Sequence, residues 1–295
     1  MEHCLLFGGR GHLAQTKIIP ALEKENIDYT IISRKQKSNL KFLYNKPNII
    51  SFMSIPTQHL ESTLKPYKND LDNINPKFII EKPHGNSFDN FESICKFLEN
   101  NSYNFVFNDH YLLKKNIINI ENKKIDFKKI KTIKIVIHEN QCINDSVGIL
   151  LDMYQSHVLM TFVKILCLIY PTLYDYEILE SISKTKFEIQ ESGKYNGYLG
   201  KQDTFVSLKL KFEDINLECD LSKNVDHITN NIYFFDDKKL LIEYLSLNDE
   251  TYGTMINNLK YNNTNTFLTK NEIQYLWKHM EYNTKSFNDS CLDPY

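Results

Sequence analysis

The sequence predicts an α/β domain followed by an α+β domain with a mostly antiparallel sheet. Three observations support this. A short apolar strand runs into a glycine-rich turn near the amino terminus, strands and helices alternate up to about residue 115, and a series of strands follows. Alternating strands and helices form a parallel sheet, whereas successive strands favour an antiparallel one. We therefore expect one domain at 1–115 and a second at 116–295.

The composition limits the possible functions. The 295 residues carry 35 basic and 37 acidic side chains, and 42% are hydrophobic, which favours a folded protein and gives no reason to expect a nucleic-acid partner. The six cysteines form no CxxC pair, so no metal site is predicted. The amino terminus does not resemble a signal peptide, and the most apolar run, at 158–170, is too short to span a bilayer. We expect a cytoplasmic protein without a membrane partner.

The first strand, HCLLFGG, leads into a turn in which Gly9, Gly11 and Ala14 fit the pattern G-x-G-x-x-A before an amphipathic helix. Glycine permits a tight turn and close approach to a pyrophosphate, and the N–H groups at the helix start bind its charge. The pattern predicts a Rossmann-type dinucleotide-binding domain. The cofactor-binding residues expected in this turn are Gly8, Gly9, Gly11, His12 and Leu13.

The second strand, IDYTIISRK at 27–35, ends in Ser33, Arg34 and Lys35. In a dinucleotide-binding fold this strand end meets the adenine ribose, where an acidic residue favours NAD and basic residues favour the 2′-phosphate of NADP. The strand end has no acidic residue, so NADP is preferred over NAD. Alternatively, Arg34 and Lys35 are solvated charges that follow a strand.

Later strands of this domain also end in polar residues. NIISFM at 48–53 precedes a turn and a helix, KFII leads into Glu81-Lys82-Pro83, and YNFVF leads into NDHYLLKK at 108–115. Ligands bind at the carboxyl edge of a parallel sheet. We therefore expect these strand ends to form a binding site together with the glycine turn.

The second half of the chain contains six further predicted strands. They are KIKTIKIVIHE, KTKFEIQES, DTFVSLKLKF, INLECDL, NNIYFFD and KKLLIEYL. Helices are expected at 147–169, at about 249–260 and at 271–283, covering one side of this sheet.

Six separated blocks, in the same order, resemble motifs of the glucose-6-phosphate dehydrogenase family. The blocks are GGRGHLAQTKIIPAL, EKPHG, NDHYLLKK, GILLDMYQSHVLM, GYLGKQDTFVSLKLKFED and FLTKNEIQYLWKHME. Related sugar oxidoreductases of the Gfo/Idh/MocA type share the glycine turn and E-K-P, but not the NDHYLLKK block. The chain thus resembles a shortened, divergent member of the family.

The resemblance implies roles for individual residues. His157 would be the general base for the oxidised hydroxyl, with Asp109 paired to it, and these two and Lys82 would be the catalytic residues. Glu81 and Pro83 would face the nicotinamide. The residues implied for substrate binding are Lys17 and Lys82 between nicotinamide and sugar, His110, Tyr111 and Lys114 at the sugar phosphate, and Glu139 and Asp152 at sugar hydroxyls.

Three of these residues have ordinary structural alternatives. His157 precedes an apolar helix, where a histidine is often a hydrogen-bonded core residue. Glu139 can cap a strand end, and Lys114 can begin a solvated helix.

The chain also departs from the family pattern. It is much shorter, and the family's basic R-T-G-K loop has no clear counterpart, although Lys223 in DLSKNV can stand in for it. Thr229 replaces a glutamine, Ser156 an asparagine, and His84 a phenylalanine.

The resemblance implies NADP-dependent oxidation of glucose-6-phosphate at C1 to 6-phosphogluconolactone. Two alternatives stay open: oxidation or reduction of another sugar phosphate or nucleotide sugar, and a non-catalytic sensor of sugar phosphate or NADPH. In the family the open second sheet forms a dimer interface, so a homodimer is expected.

Overall fold

The computed structural model describes residues 3–33, 39–141, 147–195, 198–247, 250–263 and 265–288. These residues form two compact units, each built on one sheet. The first unit contains the chain up to Leu113 together with Glu250–Lys270, and the second contains the remainder. Among the described helices, none combines the length and the apolar character needed to cross a membrane.

The first unit contains a parallel sheet. Its strands are β1 (His3–Phe7), β2 (Asp28–Ile32), β3 (Ile49–Met53), β4 (Lys77–Glu81) and β5 (Phe105–Asn108), in the order β2-β1-β3-β4-β5. β1 and β3 are buried along their whole length, as expected for apolar strands covered on both faces. The predicted Rossmann-type α/β domain is confirmed.

Short helices connect these strands. The main ones are a π-helical segment (Ala14–Ile18) that continues as α1 (Ile19–Lys24), followed by α2 (Leu60–Leu64), α3 (Lys68–Ile74) and α4 (Phe88–Asn100). Turns of 3-10 helix lie at Lys41–Leu43, Thr57–His59, Lys65–Tyr67 and His110–Leu113. α4 begins at a Ser87 cap, whose side chain accepts the Asn90 N–H.

The second unit contains a mostly antiparallel sheet. Its strands are β6 (Thr132–Glu139), β7 (Phe187–Gly193), β8 (Phe205–Phe212), β9 (Ile215–Lys223), β10 (Thr229–Phe235) and β11 (Leu241–Ser246). Their order is β11-β10-β6-β9-β8-β7, and the β6–β9 pair is parallel while the other pairs are antiparallel. The predicted α+β class is confirmed.

Further helices follow the first unit's α4 along the chain. They are α5 (Lys115–Ile118), a π-helical segment (Leu150–Val158) that continues as α6 (Leu159–Ile169), α7 (Asp175–Ser183), α8 (Tyr252–Lys260) and α9 (Lys270–Asn288). Short 3-10 turns lie at Ile120–Asn122 and Phe127–Lys129. α7 was not predicted from the sequence.

α8 belongs to the first unit, whereas the sequence prediction placed it in the second domain. It packs against α1, and its apolar residues join the core of the first unit (Tyr252, Met255, Ile256 and Leu259). Beyond α8, the backbone of Leu268 pairs with that of Phe107 in β5. An apolar stripe predicts that a helix is covered, but it does not show which sheet covers it.

Candidate active site

The turn after β1 requires glycine at position 8. Gly8 has a φ of +77°, and a Cβ atom placed there would lie 2.2 Å from the carbonyl oxygen of Ser54. The Gly11 N–H closes the turn by donating to the Gly8 carbonyl oxygen at 2.8 Å. Gly11 is exposed immediately before the Ala14–Ile18 segment. This exposed backbone at a helix start fits a dinucleotide pyrophosphate.

The other predicted residues of this turn are packed in different ways. Gly9 is buried, and a Cβ atom there would lie 2.9 Å from the Ile31 side chain. Glycine therefore allows the turn to pack closely against β2. His12 is exposed and Leu13 is half-buried, and both directly precede the helix.

The end of β2 reaches the same edge of the sheet. Ser33 follows Ile32 directly, and the Gly8 N–H donates to the Ile32 carbonyl oxygen at 3.3 Å. Arg34 and Lys35 lie outside the described residues, so the preference for NADP stays a prediction.

The last residue of β4, Glu81, is a buried carboxyl group. Its cross-strand partner Asn108 donates from Nδ2 to Oε2 at 2.8 Å. Burial raises the pKa of Glu81 to about 7, although the Asn108 hydrogen bond and the Lys82 charge act in the opposite direction. Glu81 can therefore hold or lose a proton near neutral pH.

The residues after Glu81 form a compact turn with a cis Lys82–Pro83 peptide bond. His84 is buried, with Nε2 3.1 Å from the carbonyl oxygen of Asn108. Because a carbonyl only accepts, Nε2 carries the hydrogen. Burial lowers the pKa of His84 to about 4, and its ring packs edge-on against Phe107. His84 is thus a neutral ring in the place where the family has phenylalanine.

The end of β5 places a second buried carboxyl group at this edge. Asp109 is fully buried, and its Oδ1 accepts the backbone N–H of Tyr111 at 3.0 Å. Burial raises the pKa of Asp109, while the charges of His110 and Lys82 oppose the shift. The first unit therefore gathers Glu81, Lys82, Asp109 and His110 at the carboxyl edge, as predicted from the sequence.

The two rings after Asp109 differ in exposure. His110 is half-buried, whereas Tyr111 is 2% exposed, and their ring centres lie 5.1 Å apart. Lys114, the third predicted phosphate ligand, is buried in the second unit and directly precedes α5. The phosphate-binding roles of these three residues stay predictions.

Lys17 lies in the Ala14–Ile18 segment and forms an ion pair with Glu250, 2.8 Å from Nζ to Oε2. Both side chains are about half exposed. The other oxygen of Glu250 accepts the backbone N–H groups of Thr251 and Tyr252, each at 3.0 Å. Burial alone would raise the pKa of Glu250, but these hydrogen bonds and the Lys17 charge outweigh it and lower the pKa.

Tyr252 also reaches the predicted site residues of the first unit. Its side chain is buried, and its ring stacks on His110 with centres 5.7 Å apart and planes 25° from parallel. Burial, together with a hydrogen bond to Glu81 and the charges of Glu250 and Asp109, raises the pKa of Tyr252. The sequence reasoning missed both Glu250 and Tyr252.

In the second unit, Lys223 lies between two carboxylates. Its Nζ is 2.6 Å from Oε2 of Glu139 and 2.9 Å from Oδ2 of Asp152, and its side chain is 3% exposed. Glu139 and Lys223 are partners in the parallel β6–β9 ladder. Burial alone would lower the pKa of Lys223, but Asp152 and Glu139 outweigh it and raise the pKa. Lys223 therefore stays protonated at neutral pH.

His157 and Asp152 share the π-helical segment Leu150–Val158. Its i to i+5 hydrogen bonding is seen where the Leu159 N–H donates to the Tyr154 carbonyl oxygen. Residues five apart are therefore closer to one face than in an α-helix, in which the sequence spacing suggested only a loose alignment. His157 is 1% exposed. Its pairing with Asp109 stays a prediction.

Known proteins resemble this chain in sequence over part of its length and in fold over nearly all of it. No family model matches the chain. The chain is 31% identical over 138 residues to the bifunctional glucose-6-phosphate 1-dehydrogenase/6-phosphogluconolactonase of Plasmodium falciparum, a match that covers 39% of this chain. It is 26% identical over 168 residues to the glucose-6-phosphate 1-dehydrogenase of Helicobacter pylori, covering 51% of this chain. The resemblance to glucose-6-phosphate dehydrogenases is confirmed.

These matches span only 15% of the bifunctional Plasmodium protein and 38% of the Helicobacter glucose-6-phosphate 1-dehydrogenase. The crystal structure of glucose-6-phosphate 1-dehydrogenase from Mycobacterium avium is similar in fold, with a TM-score of 0.70 and 13% identity, covering 97% of this chain and 92% of that one. A putative myo-inositol dehydrogenase from Sinorhizobium meliloti has a TM-score of 0.63 and 9% identity, covering 98% of both chains. The fold is therefore shared by both groups of oxidoreductases.

The structure describes the surroundings of two residues at which the chain departs from the glucose-6-phosphate dehydrogenase motifs. His84 keeps an aromatic contact with Phe107 while remaining neutral. Lys223, which the sequence offered as a substitute for the family's basic loop, lies at the end of β9 in ion pairs with Glu139 and Asp152, and its role as that substitute stays a prediction. No sequence motif indicated Glu250 or Tyr252, because their contacts lie more than a hundred residues earlier in the chain.

Proposed function

We propose that the protein is an NADP-dependent sugar-phosphate dehydrogenase that oxidises glucose-6-phosphate at C1 to 6-phosphogluconolactone. One observation carries the proposal. At a single edge of the parallel sheet, the glycine turn accompanies Glu81, Lys82, Asp109 and His110, which combine two buried acids with a lysine and a histidine. The similarity to glucose-6-phosphate dehydrogenases in sequence supports it.

The first unit fits a nicotinamide dinucleotide. The turn from Gly8 to Leu13 would hold the pyrophosphate, because a side chain at Gly8 would collide with Ser54. Ser33, Arg34 and Lys35 would hold the adenine ribose and its 2′-phosphate, and Glu81 and Pro83 would face the nicotinamide. When bound, the cofactor supplies the acceptor for the hydride from C1.

The proposed chemistry assigns the proton to His157. As the C1–H bond breaks and its electron pair leaves, the C1 hydroxyl becomes a carbonyl and His157 takes the hydroxyl proton. Histidine suits this role because its ordinary pKa lies near neutral pH. Asp109 would stabilise the resulting imidazolium, and Lys82 would orient the reacting sugar carbon.

Two sets of side chains would bind the substrate. Lys17 would hold the sugar near C1, and the phosphate would be held by His110, Tyr111 and Lys114 through charge-assisted and neutral donors. In the second unit, Lys223 forms ion pairs with Glu139 and Asp152. Both carboxylates can then accept hydrogen bonds from sugar hydroxyls.

The test follows the ultraviolet absorbance of reduced nicotinamide with purified protein, NADP⁺ and glucose-6-phosphate, repeated with NAD⁺. The wild type should produce a steady rise with NADP⁺. His157→Asn should lower kcat by about 10²- to 10⁴-fold, because a positioned general base contributes that much. It should keep the dissociation constant for glucose-6-phosphate measured by calorimetric titration.

Two other outcomes would replace this proposal. Turnover of another sugar phosphate or a nucleotide sugar, with none of glucose-6-phosphate, would assign a different substrate. A protein that binds both ligands without turnover, and whose binding is the same in His157→Asn, would be a sensor.

We also propose a homodimer that acts in the cytoplasm. The face of the second sheet opposite its core residues carries stacked rings of Tyr233, Phe235 and Tyr244, which are partly or largely exposed. Such a surface favours association. Sedimentation should give twice the chain mass, and Tyr244→Glu should reduce it to the monomer.

A further inference from the structure

Residues 250–252, here called the α8 entry segment, contact predicted site residues of the first unit. Glu250 contacts Lys17, and Tyr252 contacts His110. We propose that this segment positions two substrate-binding side chains, with Glu250 orienting Lys17 and Tyr252 orienting His110. The inference rests on the proposed function of the same site. It adds two positioning residues that neither motif nor resemblance indicated.

Glu250 is fixed by both carboxylate oxygens. Oε1 accepts the N–H groups of Thr251 and Tyr252 at the start of α8, and Oε2 accepts Lys17 Nζ at 2.8 Å. The backbone contacts tie this carboxylate to a helix whose apolar side is part of the core. Glu250 is therefore a fixed point against which a flexible lysine is held.

Lys17 gains orientation from this contact without losing its ability to bind a ligand. A free lysine side chain samples many rotamers, and ordering it on substrate binding costs free energy. An ammonium group has three N–H donors, and Glu250 receives one of them. The pair thus orders Lys17 before the substrate arrives.

Tyr252 acts on His110 through its ring. The two rings are stacked with centres 5.7 Å apart, and the Tyr252 side chain is itself held by burial in the core of the first unit. An imidazole against a fixed aromatic face has fewer orientations available, and a protonated imidazole is also attracted to that face. Tyr252 therefore fixes the direction in which His110 donates.

A matched control separates positioning from simple anchoring of α8. At the other end of this helix, Lys260 contacts Glu25, with Nζ 3.4 Å from Oε2. Glu25→Gln removes an ion pair from the same helix and the same unit, but it leaves Lys17 and His110 untouched. An effect that arises only from a loosened α8 would be seen in both glutamine variants.

The first experiment measures the dissociation constant for glucose-6-phosphate by calorimetric titration in the wild type, Glu250→Gln and Glu25→Gln, together with kcat and KM. Glu250→Gln keeps the length of the side chain and one carbonyl oxygen, but loses the charge. We expect its dissociation constant and KM to rise about twofold to fivefold, with kcat nearly unchanged. Glu25→Gln should match the wild type. Equal values in all three proteins, or equal losses in both variants, would overturn the role of Glu250.

The second experiment compares Tyr252→Leu with Tyr252→Phe. Leucine removes the ring against His110, so the dissociation constant for glucose-6-phosphate should rise about twofold to tenfold. Phenylalanine keeps the ring and should restore most of the affinity. Thermal unfolding of both variants shows whether either substitution destabilises the protein, separately from its effect on binding. Equal losses in Leu and Phe variants, or no loss in either, would overturn the role of Tyr252.

The binding measurements also distinguish this inference from the proposed function. If the wild type binds glucose-6-phosphate but does not oxidise it, the dehydrogenase proposal fails while the dissociation constants still decide the roles of Glu250 and Tyr252. If the wild type does not bind glucose-6-phosphate, both proposals fail.

Discussion

The two units place strand-end acids in different electrostatic environments. At the end of β4, Glu81 is buried against the neutral amide of Asn108, and its pKa rises to about 7. At the end of β6, Glu139 contacts the cation of Lys223, which Asp152 also contacts. Burial raises the pKa of Glu81 even though Lys82 is adjacent, whereas a cation in direct contact, such as Lys223 at Glu139, favours the carboxylate.

The difference shows that the partner, rather than the position on a strand, sets the chemistry of a strand-end acid. Glu81 can exchange a proton near neutral pH, which suits a site beside a redox cofactor. Glu139 and Asp152 remain acceptors for hydrogen bonds, which suits the recognition of hydroxyl groups. The sequence predicts both β4, which ends at Glu81, and β6, which ends at Glu139, but it does not distinguish these two environments.

The largest expected effect comes from Lys223→Met. This change leaves Glu139 and Asp152 close together and without their cation, and removing one partner of a buried ion pair typically costs about 3 to 5 kcal/mol. The midpoint of urea unfolding should fall accordingly. Lys209→Met, which removes an exposed cation paired with Glu218 on the same sheet, should cost less than about 1 kcal/mol. Similar costs at both sites would contradict the comparison.

Glu81→Gln should have the next largest effect, and that effect should depend on pH. The folded carboxyl has a pKa near 7 and an ordinary glutamate near 4.5, so the unfolded wild type releases its proton first as pH rises. Wild-type stability is therefore lost between about pH 4.5 and pH 7, by about 3 kcal/mol. Glutamine does not titrate.

Urea unfolding of both proteins at several pH values provides the measurement. The free energy of unfolding of Glu81→Gln minus that of the wild type should increase with pH across this window and then level off. A difference that is constant with pH would show that folding does not raise the pKa of Glu81 above its ordinary value.

The smallest expected effect on stability is that of Glu250→Gln. The Lys17–Glu250 pair is about half exposed, so its loss should lower the free energy of unfolding by less than about 1 kcal/mol. The same variant is expected to weaken sugar-phosphate binding. A loss of several kcal/mol would mean that Glu250 mainly holds α8 in place.

Local patterns predicted most of the fold. The strands of both sheets alternate or run apolar over short distances, and the glycine turn is specified by adjacent residues such as Gly8, so both could be recognised without tertiary information. α8 was assigned to the wrong unit because its stripe of Tyr252, Met255 and Leu259 is compatible with either core. The π-helical geometry around His157 has no clear sequence signature.

The site was predictable where residues follow a strand directly. Glu81 and Asp109 lie at the sheet edge because parallel strands end together. Their raised pKa values depend on burial, and the ordering of Lys17 depends on Glu250, which lies far along the chain. Sequence patterns identify the side chains of such a site better than they identify its electrostatics.

Because α8 belongs to the first unit, this unit cannot be completed until the chain has been synthesised as far as Lys270. The apolar residues Ile19 and Leu22 of α1 share their core with residues of α8 and with Phe267. At ordinary rates of translation, about 8 to 30 s separate the appearance of Leu113 from that of Lys270. During this interval the nascent first unit lacks α8 and Phe267, so the apolar side chains of α1 that pack with them have no complete core.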